Sequence, residues 1–208
     1  MNVKKASQIK PLSVPSNPFA SEHLARIPFR FEEGDWNSNL ARLRKLDYRA
    51  AIVGPHGSGK STLISELESR IASQTSATPY LLVIPANRDE HTDVIETALT
   101  HAAEGKVLLV DGIERVSLRQ KFRLFRGTVG RGGLVVTSAY PMRLPPFTLT
   151  TWVKTATSEL LLDYVLSELQ MASPDVRAAG QESYEKNRGN IGRVLEELYE
   201  RHSAKRFK

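Results

Sequence analysis

The stretch Ala51-Ile52-Val53-Gly54-Pro55-His56-Gly57-Ser58-Gly59-Lys60-Ser61-Thr62 decides how this chain folds. An apolar run ends in a glycine-rich turn, and the turn ends in Lys-Ser-Thr where a helical pattern begins. Leu63, Ile64, Leu67 and Ile71 recur at helical spacing, so a strand over 49–53 should feed a helix starting at Lys60. The same alternation continues downstream. Apolar strands are expected at 80–84, 107–110, 134–137 and 147–153, with helices over about 91–103 and from Leu118 onward. Continuous apolar strands alternating with helices imply a parallel sheet covered on both faces.

On either side the texture changes. Pro11, Pro15, Pro18 and Pro28 rule out regular structure before about residue 35, although Phe19, Phe29 and Phe31 would seek cover; the first dozen or so residues should be flexible. Asn37 or Ser38 can cap a helix with Leu40, Leu43 and Leu46 on one face. From Ser158 the pattern is wholly helical, with Ser173-Pro174 and Asn190 as later helix starts. The expected organisation is an N-terminal arm (1–35), an α/β core (36–156) and a small helical lid with a basic tail (157–208).

Composition narrows the function classes. The 208 residues are 40% hydrophobic and 25% charged, enough for one α/β domain with a sizeable core. Without cysteine there can be no disulfide, thiolate metal site or cysteine nucleophile. No apolar run reaches the ~18 residues needed to cross a bilayer. No apolar segment follows the basic start, so a cytoplasmic protein with no membrane partner is expected. The net charge of +6 is partly terminal, in Lys4, Lys5, Lys10, Lys205, Arg206 and Lys208, which reads as solvated tails; nucleic acid stays open as a partner but is not favoured.

The spacing Gly54-x-x-x-x-Gly59-Lys60-Ser61 matches the phosphate-binding P-loop, or Walker A motif, in every fixed position. Glycines let the backbone turn tightly and let phosphate oxygens approach the amides, which point outward from a helix N-terminus. The cradle is then Gly54, Pro55, His56, Gly57, Ser58, Gly59, Lys60, Ser61 and Thr62. Lys60 supplies charge for the β and γ phosphates, Ser61 a hydroxyl for Mg2+, and Thr62 a contact near the α phosphate. His56 occupies a variable position and reads as loop filler.

Val107-Leu108-Leu109-Val110-Asp111 has the shape of a Walker B element, whose carboxylate orders magnesium; it follows the loop by about fifty residues. Asp111 could otherwise simply open an Asp-Gly turn. Hydrolysis also needs a group that orients or deprotonates water. Glu114 is the nearest acid and the candidate base. Thr137 or Ser138, at the end of the fourth strand, could hold the water or the γ phosphate.

Together these motifs resemble a compact AAA+-like P-loop ATPase, over about residues 35–205. The segment 80–84 and its helix resemble the additional strand of that division. Asp111-Gly112-Ile113-Glu114 is similar to the acids after Asp-Gly in NACHT-type signalling ATPases. Gly189-Asn190-Ile191-Gly192-Arg193 looks like a sensor 2 helix, which implies that Arg193 reaches the γ phosphate from the lid. The resemblance implies ATP and ADP as ligands, Mg2+ as cofactor, and slow ATP hydrolysis acting as a switch on a protein partner the sequence does not identify. It assigns no arginine finger and no oligomeric state.

Three other readings follow from the same loop. A small-molecule P-loop kinase would use the arginine-rich segment 115–131 to close over phosphate. A non-enzymatic module would hold nucleotide structurally. A GTPase would need Asn-Lys-x-Asp, which does not occur. Phe29 and Phe31 are the arm's candidates for reading adenine.

Overall fold

The computed structural model describes residues 17–145 and 147–204. The first sixteen residues of the arm, with Lys4, Lys5 and Lys10, and the basic tail 205–208 lie outside the described residues.

Five parallel strands form the central sheet: β1 (Arg49–Val53), β2 (Pro79–Val83), β3 (Val107–Asp111), β4 (Leu134–Ser138) and β5 (Thr150–Lys154). Their spatial order is β2-β3-β4-β1-β5. The apolar runs of the inner strands β1, β3 and β4 are continuous because both faces are covered. In β1, Ala50 and Ile52 face one cluster and Ala51 and Val53 the other; in β3, Val107 and Leu109 separate in the same way from Leu108 and Val110.

Helices α2 (Trp36–Lys45) and α3 (Lys60–Gln74) cover the first face through Leu40, Leu43, Leu63, Ile64, Leu67 and Ile71. Helices α4 (His91–Ala103) and α5 (Leu118–Gly127) cover the second through Ile95, Ala98, Leu124 and Phe125. A side chain of this size buried from water stabilises by about 1.5–3 kcal/mol.

The sequence-based expectations need four corrections. Helix α2 is capped by Asp35, whose side chain accepts from the Ser38 amide while the Ser38 hydroxyl accepts from the Asp35 amide; Ser38 is thus the third helical residue, and Asn37 lies inside the helix. Strand β2 begins one residue earlier than expected. The fifth strand starts at Thr150 because Phe147–Thr148 pairs with Arg143–Leu144 in a separate two-stranded hairpin. Finally, the strand that separates β1 from β3 in space is β4, whereas β2 lies at the sheet's edge.

The C-terminal helices α6 (Glu159–Glu168), α7 (Pro174–Lys186) and α8 (Ile191–Ser203) pack around Leu162, Leu166, Val176, Val194 and Leu198. The arm belongs to this cluster. It buries Phe19, which is 2% exposed, just before the short helix α1 (Ser21–Leu24), and packs Leu24 and Ile27 partly against the bundle. Asn17 donates from Nδ2 to the Tyr199 carbonyl and to Ser203 Oγ, both at 2.8 Å. No helix among the described residues is long and apolar enough to cross a membrane.

Candidate functional site

Parallel packing brings the C-terminal ends of β1, β3 and β4 to one edge of the sheet, where α3 starts. In open α/β sheets, ligand crevices form at this edge. Strand β1 ends with the Gly54 amide donating to the Ser138 carbonyl at 3.1 Å. The chain then winds through residues 54–59 into α3.

Gly57 and Gly59 take φ of +77° and +79°, a left-handed conformation that a Cβ disfavours. At Gly57 there is also no room. A Cβ would lie 2.5 Å from Asn190 Oδ1 and 2.7 Å from the Ile191 amide nitrogen, so the loop's middle is seated on the first turn of α8. At Gly59 an added Cβ would meet only the Phe29 ring among the described residues, at 3.5 Å, an ordinary contact. The Phe29 amide donates to Glu66 in α3, fixing the arm beside the loop.

Lys60 is 8% exposed, and its ammonium donates to the carbonyls of Gly54 at 2.8 Å and Pro55 at 2.7 Å. Burial holds its pKa below the ordinary lysine value; the negative charges of Glu114 and Asp111 offset part of that shift. Lys60 makes no ion pair with a carboxylate among the described residues. A buried cation at a helix N-terminus, with no carboxylate in direct contact among the described residues, attracts an anion.

Thr137 is 1% exposed, and its hydroxyl accepts from the Gly112 amide at 2.8 Å and donates to Asp111 Oδ1 at 2.5 Å. A hydroxyl has one proton, so this one is committed to Asp111. Thr137 therefore orients the carboxylate. The neighbouring Ser138 is also buried, and its Oγ accepts from the Tyr140 amide.

Glu114 lies on a single 3-10 turn, Ile113–Arg115, directly after the Asp111-Gly112 turn. Its Oε2 is buried without a hydrogen-bond partner among the described residues. Buried polar atoms are nearly always satisfied, so an orphan beside a site implies a group that completes it. Arg115 anchors the turn by donating from Nη1 to the Ile84 carbonyl at 2.7 Å.

Other expected residues stand apart. Ser61 is exposed on the first turn of α3 and Thr62 half-buried, while Pro55 and His56 are exposed on the loop. Arg193 has its backbone amide capped by Asn190 Oδ1 at 3.3 Å, but its side chain is exposed and forms no hydrogen bond or ion pair among the described residues. Phe29 reaches the loop, and Phe31 packs edge-on against Phe29 as well as against Trp36 and Trp152.

Two contributors escaped the sequence reading. Thr155, following β5, approaches Ser58 Oγ at 2.6 Å. Ser58 donates its own proton to the Pro55 carbonyl at 2.8 Å, so the Thr155 hydroxyl is the donor between them. A hydroxyl at a strand end was the available signal, the same one that marks Thr137. The other is Asn190-Ile191 against Gly57; the sequence identifies Asn190 as a cap but not what the capped helix touches.

Among the described residues no three His, Asp or Glu side chains cluster to hold a metal. A divalent cation here would need oxygens from phosphate and water beside those of Ser61 and Asp111, which is how magnesium is usually held. The hydroxyl, carboxylate and buried ammonium fit a magnesium–phosphate ligand. Compared with known proteins, the chain matches no family model and no curated protein sequence.

Proposed function

We propose that this chain binds ATP with magnesium and hydrolyses it slowly, as an AAA+-like P-loop ATPase that serves as a nucleotide-driven switch on a protein partner. The observation that carries the reading is Lys60, a buried ammonium held by loop carbonyls at the start of α3 with no carboxylate paired to it among the described residues. Loop amides and Lys60 bind the phosphates. Ser61 and Asp111 hold the metal, and Thr137 keeps Asp111 in position. Magnesium, when bound, neutralises phosphate charge and draws electrons from the γ phosphorus. Glu114 accepts the proton as water adds to that phosphorus and the bridging oxygen leaves with ADP. The seat of Gly57 on α8 supports the switch, because a loop that moves with the phosphates must carry α8 with it.

A non-hydrolysing nucleotide module is the second reading, favoured by the exposed side chain of Arg193, which engages no group among the described residues. Calorimetry beside a phosphate-release assay separates the two. Lys60→Ala removes charge-assisted contacts worth about 1.5–3 kcal/mol, so ATP affinity should fall tenfold or more. Normal binding by Lys60→Ala would refute the phosphate site. Glu114→Gln should bind ATP and lose turnover. Turnover unchanged in that variant would remove Glu114 as the base, and tight binding by wild type with no phosphate release would select the module.

A further inference from the structure

Helix α5 carries a surface that the nucleotide reading leaves unused. The chain has 29 Lys and Arg against 23 Asp and Glu. Segment 115–131 holds six of these bases (Arg115, Arg119, Lys121, Arg123, Arg126 and Arg131) and no acid, which equals the whole excess of +6. Five of the six are arginine, the side chain suited to forked, bidentate contact with carboxylates.

The same surface is apolar. Leu118 is 69%, Phe122 42% and Val129 54% exposed, and Leu118 and Phe122 are one helical turn apart. Arg115 is engaged by the Ile84 carbonyl and Arg123 by Glu96 of α4, whereas Arg119, Arg126 and Arg131 make no ion pair among the described residues. Beside this face runs a groove of about 480 Å³ between α4 and α5. Ile95 lines its floor and is 1% exposed; Arg119 and Arg123 stand on its rim with Thr92, Ser117 and Gln120.

We infer that the α5 face and the α4–α5 groove dock an acidic, amphipathic segment of a partner protein. Its apolar side chains cover Leu118 and Phe122 and enter the groove toward Ile95, while its carboxylates meet Arg119 and Arg126. Charge complementarity sets the sign of the partner, and the apolar residues set its kind. Nucleic acid would use the cations and gain nothing from Leu118, Val129 or a groove floored by isoleucine. Arginine and phenylalanine are both enriched at protein–protein interfaces relative to the rest of a surface. The surface does not involve the phosphate loop, so it stands whether or not ATP is the ligand.

The test is fluorescence anisotropy on the full chain. The probe is a labelled peptide of about two heptads, with leucine at a and d and glutamate elsewhere. Micromolar binding is expected. It should weaken at least tenfold in Arg119→Glu/Arg126→Glu and several-fold in Leu118→Ser, and be unchanged in Lys45→Glu, on the opposite face of the sheet. These substitutions lie at exposed positions, and far-UV circular dichroism confirms that each variant folds. The inference is overturned by no peptide binding, by equal binding of Leu118→Ser, or by tighter binding of oligo-dT or phosphatidylserine vesicles than of the peptide.

Discussion

Replacing Thr137 by valine keeps the side chain's shape and removes its hydroxyl. In the folded chain that hydroxyl is 1% exposed and makes two bonds, accepting from the Gly112 amide and donating to the Asp111 carboxylate. The bond to the charged acceptor is worth about 1.5–3 kcal/mol, and the abandoned Gly112 N–H costs about 1–3 kcal/mol. The two are coupled through one atom and do not simply add, so a total near 3–4 kcal/mol is expected. Thr137→Ser keeps the hydroxyl, loses one buried methyl, and should cost about 1 kcal/mol. Urea denaturation of the full chain measures both. For a domain of this size each kcal/mol moves Tm by about 2–4 °C, so thermal melting should separate valine from serine by several degrees. In an Asp111→Ala background the valine cost should fall by the charged bond's share. If valine and serine cost the same, or the valine cost survives intact without Asp111, the bridge is not what holds this carboxylate.

The seat of the glycine-rich loop on α8 is checked by a pair of glycines. Gly57→Ala and Gly59→Ala both place a Cβ at positive φ, costing about 1–2 kcal/mol, but only the former meets backbone, 2.7 Å from the Ile191 nitrogen. Gly57→Ala should therefore be about 1–3 kcal/mol worse in urea denaturation, and equal costs would separate the loop from α8. In the helical bundle, hydrogen bonds from Lys186, Asn187 and Ser183 lower the Glu197 pKa from 4.5 to about 2. A depressed carboxylate contributes stability above its unfolded pKa and loses it as pH falls through the folded one. Because Glu197 is partly exposed and so screened, Glu197→Gln should cost about 1–2 kcal/mol at pH 7. That gap should shrink between pH 4.5 and about 2, and a gap that stays constant with pH would mean the charge is not its source.

The α/β layering was legible because burial on both faces forces continuous apolar strands, and the runs at 49–53, 107–110 and 134–137 have no polar alternation. Spatial order was not, since a sheet's neighbours are chosen by crossover packing; β2 precedes β3 in the chain yet lies at the edge. The start of α2 was misread because Asp35, Asn37 and Ser38 are all capping residues within four positions, and only the reciprocal pair of Asp35 and Ser38 decides among them. At the site, the loop could be read from spacing alone. The orphaned Glu114 oxygen, the commitment of the Thr137 proton and the ring of Phe29 on Gly59 depend on which strand ends meet, which linear order does not encode.

Helix α8 is in contact at both ends, and its thirteen residues make a strut about 20 Å long. Its first turn bears on Gly57, and its last turn holds Asn17 of the arm. The arm then returns past Tyr164, which donates to the Pro28 carbonyl, and lays Phe29 against Gly59. The loop over 54–59 thus meets both ends of one circuit running through the arm and the C-terminal helices. A lever fixed at both ends cannot rotate about one without loading the other. Loading the first turn of α8 therefore loads the arm held by its last turn, and the converse holds.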